Sequence, residues 1–269
     1  MKGSKTHLPI ILSGIALLWV LNCNQQIHDA IIHVDTIVAY WANGLMRQSP
    51  VIGKIFGTLN TRVGDVIVLT CFGTLFIRHA IKSSTKREAI RRLTWWGWVG
   101  FVCVATYLLT CLSEPYICRQ IPLTALPDMI NVQKLYGVAL HTDPESSFPS
   151  GHGFAYTFFT LMALAQYTTV GVTIACIGSI MLLSRLIVGV HWLSDITLGA
   201  FPLALLMQSL MATSIAYKLR AFMQHWVIYT LLVGKKMFLG GNKTPATPSS
   251  APIRKSDDKV PVLSARDKK

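Results

Sequence analysis

VGDVIVLTCFGTLFIRHAIKSSTKREAIRRL, residues 63–93, decides the class of fold. Its first part, 63–81, is an apolar run with Asp65 near the start. At about 1.5 Å per residue, a helix of that length crosses a hydrocarbon core of roughly 30 Å. Its second part, 82–92, is the densest short basic loop in the chain, and Lys and Arg accumulate on cytoplasmic loops. A membrane helix that emerges on the cytoplasmic side satisfies both halves.

The composition around this stretch agrees. Of 269 residues, 52% are hydrophobic and only 14% charged, whereas a soluble domain carries about a quarter charged residues. Mean hydropathy is +0.46. The net charge of +13 does not point to nucleic acid, because the basic residues cluster beside apolar runs and set topology instead. Six cysteines include no C-x-x-C pair, so they are not expected to bind metal. Four lie in apolar stretches as small hydrophobes, while Cys23 and Cys118 are placed to meet an oxidising space.

Working outward, the pattern predicts an all-α, polytopic six-helix membrane bundle. Residues 1–22 are expected to form an uncleaved first helix: Lys2 and Lys5 precede the apolar 8–22, but no A-x-A cleavage site follows. In the segment 23–62, Val34, Ile37, Val38, Trp41 and Leu45 recur at helical spacing around Asp35, Asn43 and Arg47, as in a helix lying in the interface. Further spans are expected at 93–113, 153–168, 170–190 and 195–214, so that 63–217 is the membrane core. The basic segment 218–269 ends in a Pro-, Ser- and Lys-rich tail that cannot bury a core and should be disordered. With 82–92 inside, both termini fall inside, and 114–152 and the turn at 191–195 fall outside. Trp95, Trp96 and Trp98 read as an interfacial aromatic belt, and Arg62 with Asp65 as a structural pair. His28, His33, His79, His141 and His225 have no partner at a recognisable spacing and read as surface or interfacial residues.

Three pieces carry chemistry, all on the outer side of this topology: Arg119 in YICRQIPLT, SFPSGHG at 147–153, and SRLIVGVHWLSD at 184–195. Arg185 stands near the end of an apolar span, where a guanidinium requires a partner. His191 and Asp195 are four apart, so on a helix the carboxylate orients one ring nitrogen and leaves the other free as a nucleophile or base. Arg119 and Arg185 are planar cations that match phosphate oxygens. Ser150 and Gly151 supply a hydroxyl and a turn at a helix start, where open N–H groups favour an anion, and His152 follows as a proton donor. These parts suffice for phosphoryl transfer through a histidine, and they demand neither metal nor cofactor.

PSGH followed by S-R-x5-H-x3-D resembles the type 2 phosphatidic acid phosphatase (PAP2) superfamily, whose signature is K-x6-R-P, PSGH and S-R-x5-H-x3-D. The second and third parts match in full; the first departs, since no Lys stands seven before Arg119 and Pro122 follows it by three. The resemblance implies a six-helix membrane enzyme that removes or transfers phosphate from a lipid. It assigns His191 as nucleophile, Asp195 as its orienting acid, His152 as general acid, and Arg119, Ser150, Gly151 and Arg185 as phosphate ligands. LNTRVGD at 59–65 and the spaced R-x-x-P look like the lipid A 1-diphosphate synthase branch, although that branch carries PGDH in place of PSGH. That branch implies a bacterial inner-membrane enzyme with a periplasm-facing site and a polyprenyl pyrophosphate or lipid A phosphate as substrate; no obligate protein partner is evident in the sequence. Phosphatidic acid or phosphatidylglycerophosphate hydrolysis, and non-catalytic binding of a lipid phosphate, remain open beside it.

Overall fold

Helices form where the apolar runs predict them, and their ends are set by local caps. The structure, a computed structural model, describes residues 25–113 and 119–240. The expected first span, Cys23, Cys118 and the tail beyond 240 lie outside these. In order come α1 (Gln25–Gln48), α2 (Pro50–Leu59), α3 (Arg62–Ile81), α4 (Lys86–Ser113), two short helices α5 (Pro122–Ala125) and α6 (Val132–Tyr136), then α7 (Gly151–Leu164), α8 (Thr168–Val188), a π-helical stretch Asp195–Ala200, α9 (Phe201–Met211) and α10 (Ser214–Gly240). No strand occurs among the described residues; a single parallel bridge joins Arg119 to Ser146. The chain divides into two units, Met1–Val227 and Ile228–Lys269. The described part of the second is the end of α10.

The segment expected to be one interfacial helix is two. Ser49 breaks it, accepting the Val51 N–H as the cap of α2 with Pro50 at the first helical position. Both α1 and α2 pack against α8. Asn43 of α1 bonds the carbonyls of Ile130 and Ile187 at 3.2 and 3.1 Å, tying the helix to the end of α8. One apolar core, with Ala42, Met46, Val132, Ile187 and Val188, fills this side. The larger core lies between α3, α4, α7 and α8, where Trp96 stacks on Phe76 at 4.1 Å between ring centroids. Trp95, Trp96 and Trp98 are all buried here, which corrects the reading of them as a belt. Consecutive bulky aromatics on a helix cannot share one lipid-facing stripe: Trp96 packs on Phe76 of α3, while Trp95 lies under Arg220 of α10.

The helices α3, α4 as far as Cys111, and α8 are each long and apolar enough to cross a membrane, and a bent pair made by 195–211 and 214–230 raises the number to four. Leu69, Leu109 and Ile180 are exposed on them. Apolar rows of this kind need lipid as their solvent, and the chain is an integral membrane protein. Helix α3 places its first turn, with Asp65, at one end and the basic loop at the other. Twenty residues at about 1.5 Å separate them by roughly 30 Å.

Candidate active site

Two half-sites meet at the Asp65 end of the bundle. The first is built where α8 stops. Gly189 takes φ 77° and closes α8 with its N–H on the Arg185 and Leu186 carbonyls. Only a residue that tolerates the left-handed region fits there. The chain therefore leaves the helix before His191, and the helical spacing that would join His191 to Asp195 does not apply. His191 nevertheless meets Asp195, at 3.5 Å between Nδ1 and Oδ2. Its nearer partner is the Ser147 carbonyl, 2.9 Å from the same nitrogen. A carbonyl oxygen only accepts, so Nδ1 carries the hydrogen and Nε2 keeps its lone pair.

Asp195 is fully buried and committed elsewhere. Oδ2 accepts the Trp192 N–H at 2.8 Å, and Oδ1 accepts Arg119 at 2.7 Å. Arg119 also donates to Ser194 Oγ at 2.7 Å and to Asp35 Oδ2 at 2.6 Å, and lies over the Trp192 ring at 5.0 Å. Asp35, on α1, accepts the Ser194 N–H at 2.9 Å through its other oxygen and also bonds the Ser194 hydroxyl. Arg119 was expected to hold phosphate. Instead, both hydrogens of one terminal nitrogen and one of the other go to two buried carboxylates and a hydroxyl, so its geometry is that of a clamp on Asp195.

The second half-site is the start of α7. Ser150 is fully buried and caps the helix, its Oγ accepting the Gly153 N–H at 3.1 Å. The first-turn N–H groups of Gly151 and His152 then point out of the helix end. Gly151 packs so closely on Tyr107 that a Cβ would lie 2.7 Å from its ring. His152 Nε2 is 3.0 Å from Asp65 Oδ1, an oxygen that Arg185 also reaches at 3.4 Å. Arg185 is almost wholly buried, and its Nε has no partner among the described residues. His141, read as a surface residue, lies 3.2 Å from Asp65 Oδ2. Asp65 thus pairs with His152, His141 and Arg185, not with Arg62 as the sequence spacing had it.

The two halves are joined by backbone. Ser147 N–H bonds the Arg119 carbonyl at 2.9 Å, and Ser150 N–H reaches the Asp195 carbonyl at 3.3 Å. Gly199 on the π-helical stretch would place a Cβ 2.8 Å from the Phe148 ring and 3.0 Å from Pro149. A side chain there would push the PSGH turn off the bundle. His152 lies within electrostatic range of both Arg185 and His191. The cluster therefore unites a helix N-terminus, a buried guanidinium with an open N–H, an imidazole with a free Nε2, and a second imidazole held by a carboxylate.

Residues 95–220 match the model of the PAP2 superfamily. They form a PAP2 domain. The chain is 24% identical over 203 residues to the lipid A 1-diphosphate synthase of Escherichia coli (strain K12), an alignment covering 74% of this chain and 82% of that protein. Among solved structures, a transmembrane PAP2-type phosphatidylglycerolphosphate phosphatase from Bacillus subtilis is similar with a TM-score of 0.47 and 16% identity, over 80% of this chain and 98% of that one. A chain that carries a PAP2 domain and resembles that synthase over most of its length is an enzyme of the phosphatase or phosphotransferase class. Arg119, Ser150, Gly151, His152, Arg185, His191 and Asp195 all fall within the PAP2 domain. Asp35 and Asp65 precede it and were missed. For Asp65 a signal existed, since a lone acid in an apolar run demands a partner; Asp35, on a mixed helix, gave none.

Proposed function

We propose that this enzyme transfers phosphate from a lipid, a polyprenyl pyrophosphate or a lipid A phosphate, through a phosphohistidine on His191, at the periplasmic face of a bacterial inner membrane. The observation that carries the reading is the His191 ring. Its Nδ1–H is spent on the Ser147 carbonyl, so Nε2 is the basic nitrogen, and it belongs to the same cluster as Arg185 and the α7 N-terminus. Phosphate is held by Arg185 and the N–H groups of Gly151 and His152, with Ser150 shaping the turn. Nε2 attacks phosphorus, the bond to the leaving oxygen breaks, and His152 protonates that oxygen. In the second step water, or an acceptor lipid phosphate, takes the phosphoryl group and returns a proton to His152. Arg119 and Asp195 act through His191 by fixing the loop that carries it.

The separation along α3 supports the orientation: the site lies about one bilayer thickness from the basic loop 82–92, so a cytoplasmic loop puts the chemistry outside. We propose six crossings, by residues 1–22, α3, α4, α7, α8 and the stretch from Asp195 through α9.

The deciding experiment incubates purified protein with labelled undecaprenyl pyrophosphate, with and without lipid A. Label on lipid A identifies a transferase; label only as inorganic phosphate leaves a phosphatase. No turnover of these, with release of phosphate from phosphatidic acid or phosphatidylglycerophosphate, replaces the substrate but keeps the mechanism. A His191→Ala protein that works at the parental rate refutes the mechanism itself.

A further inference from the structure

Asp65 stands outside the three-part signature and outside residues 95–220, yet it pairs with both His152 and Arg185 of the second half-site and with His141. It is fixed by its own helix start. Thr61 caps α3 through the Gly64 N–H, and the Asp65 N–H bonds the Thr61 carbonyl at 3.2 Å. A Cβ at Gly64 would sit 2.3 Å from the Leu59 carbonyl oxygen, so the chain there folds back as tightly as glycine allows. From this anchored position Oδ1 faces His152 Nε2 at 3.0 Å and Arg185 at 3.4 Å, and Oδ2 faces His141 Nδ1 at 3.2 Å. His141 is itself held, its N–H donating to the Asn60 carbonyl at 3.0 Å.

We propose that Asp65 is a positioning residue for the general acid: it commits His152 Nε2–H to its carboxylate and so selects Nδ1 as the nitrogen that exchanges protons with the substrate. This rests on the phosphohistidine reading above. A carboxylate oxygen accepts, so Nε2 carries a hydrogen whichever charge state the ring adopts. The proton for the leaving oxygen then comes from Nδ1 of the imidazolium. As the His191 Nε2–P bond forms and the P–O bond breaks, Nδ1–H passes to the departing oxygen and the ring becomes neutral. When water or the acceptor attacks the phosphohistidine, its proton returns to Nδ1 as the P–N bond breaks. Asp65 keeps Nε2–H throughout, and the ring turns over without rotating. Asp65 thus does for His152 what the Ser147 carbonyl does for His191: each imidazole has one nitrogen tied and one free.

The alternative is that Asp65 only stands in for a phosphate between Arg185 and His152. The leaving group separates the two. An alkoxide needs a proton to depart, whereas p-nitrophenolate does not, so loss of the general acid falls on the first far more heavily. Full-length Asp65→Asn, Asp65→Glu, His152→Ala and His191→Ala proteins are assayed with phosphatidic acid and with p-nitrophenyl phosphate, and vanadate inhibition is measured alongside. Asp65→Asn is expected to change the ratio of the two kcat values by on the order of 10²-fold against the alkyl phosphate. His152→Ala shows the same sense, Asp65→Glu restores part of the ratio, and vanadate binds Asp65→Asn at least as tightly as the parent. An equal loss on both substrates, or unchanged kcat with tighter vanadate, overturns the proposal. Independently of turnover, ¹⁵N spectra of histidine-labelled protein should show the His152 proton on Nε2, a preference lost in Asp65→Ala. A parent ring protonated only at Nδ1 would also overturn it. Retained turnover in His191→Ala would instead bring down the phosphohistidine reading.

Discussion

Arg119→Ala tests the reassignment of that residue most sharply. The guanidinium is a quarter exposed, but its two carboxylate partners are not: Asp35 shows 2% of its side chain and Asp195 none. Removing one partner of a buried pair leaves an uncompensated charge and costs about 3–5 kcal/mol. Asp35 retains the Ser194 N–H and Asp195 the Trp192 N–H, so the low end, about 3 kcal/mol, is expected. For a chain of this size that is a fall in Tm of roughly 6–12 °C, measurable by thermal unfolding in detergent. Turnover should fall as well, since the Ser147 carbonyl that holds His191 shares a backbone bridge with Arg119. An Arg119→Ala/Asp35→Asn double variant should lose less than the sum of the single losses, with a coupling of about 1–3 kcal/mol. Arg119→Lys should not restore stability, because a point charge cannot reach both carboxylates as the planar fork does. An unchanged Tm together with selectively weakened vanadate binding would refute the clamp and return Arg119 to the phosphate.

Arg185→Gln should abolish the stabilisation that vanadate gives the parent protein, which is about 2.7 kcal/mol at a hundred times Kd; a thermal-shift titration reads this directly, and an undiminished shift would exclude Arg185 as the anion ligand. Gly199→Val should destabilise by about 1–3 kcal/mol through overpacking against Phe148 and Pro149, and activity should fall more than stability because the displaced turn carries Ser150 and His152. Gly189→Ala should cost about 1 kcal/mol or more, since the new side chain must adopt a φ of 77° with Met129 already 2.8 Å from its Cβ; an unchanged melting curve would show that the end of α8 is not held there.

What could be read from the sequence was what is local. Apolar runs located α3, α4 and α8 to within a few residues, except that α4 starts inside the basic loop, because Glu88 joins Arg91 and Arg92 on one helical face. PSGH did mark a helix start, as the small residues and the Ser cap required. Long-range pairing was not legible. Asp35 and Arg119 are 84 positions apart, and Asp65 and His152 87. No spacing rule links them, so Asp35 and Asn43 looked like the wet face of an interfacial helix. His191 and Asp195 were joined for a reason that does not hold: the spacing assumed a helix that Gly189 ends, and the turn brings them together by another path.

The charges at the site separate binding from bulk electrostatics. The chain carries a net +13, yet the cluster sets three carboxylates, Asp35, Asp65 and Asp195, against two guanidiniums, Arg119 and Arg185. Positive charge in excess is therefore not what would draw a phosphate to this end of the bundle. The favourable terms are directional: the open Nε of Arg185, the unpaired N–H groups at the start of α7, and imidazoles that can carry a proton in. Buried donors of this kind are screened little by salt and need little reorganisation when the anion arrives. The three carboxylates then have a use. Each one fixes a cation or an imidazole in place, so the geometry of the site is set by the protein's own charges.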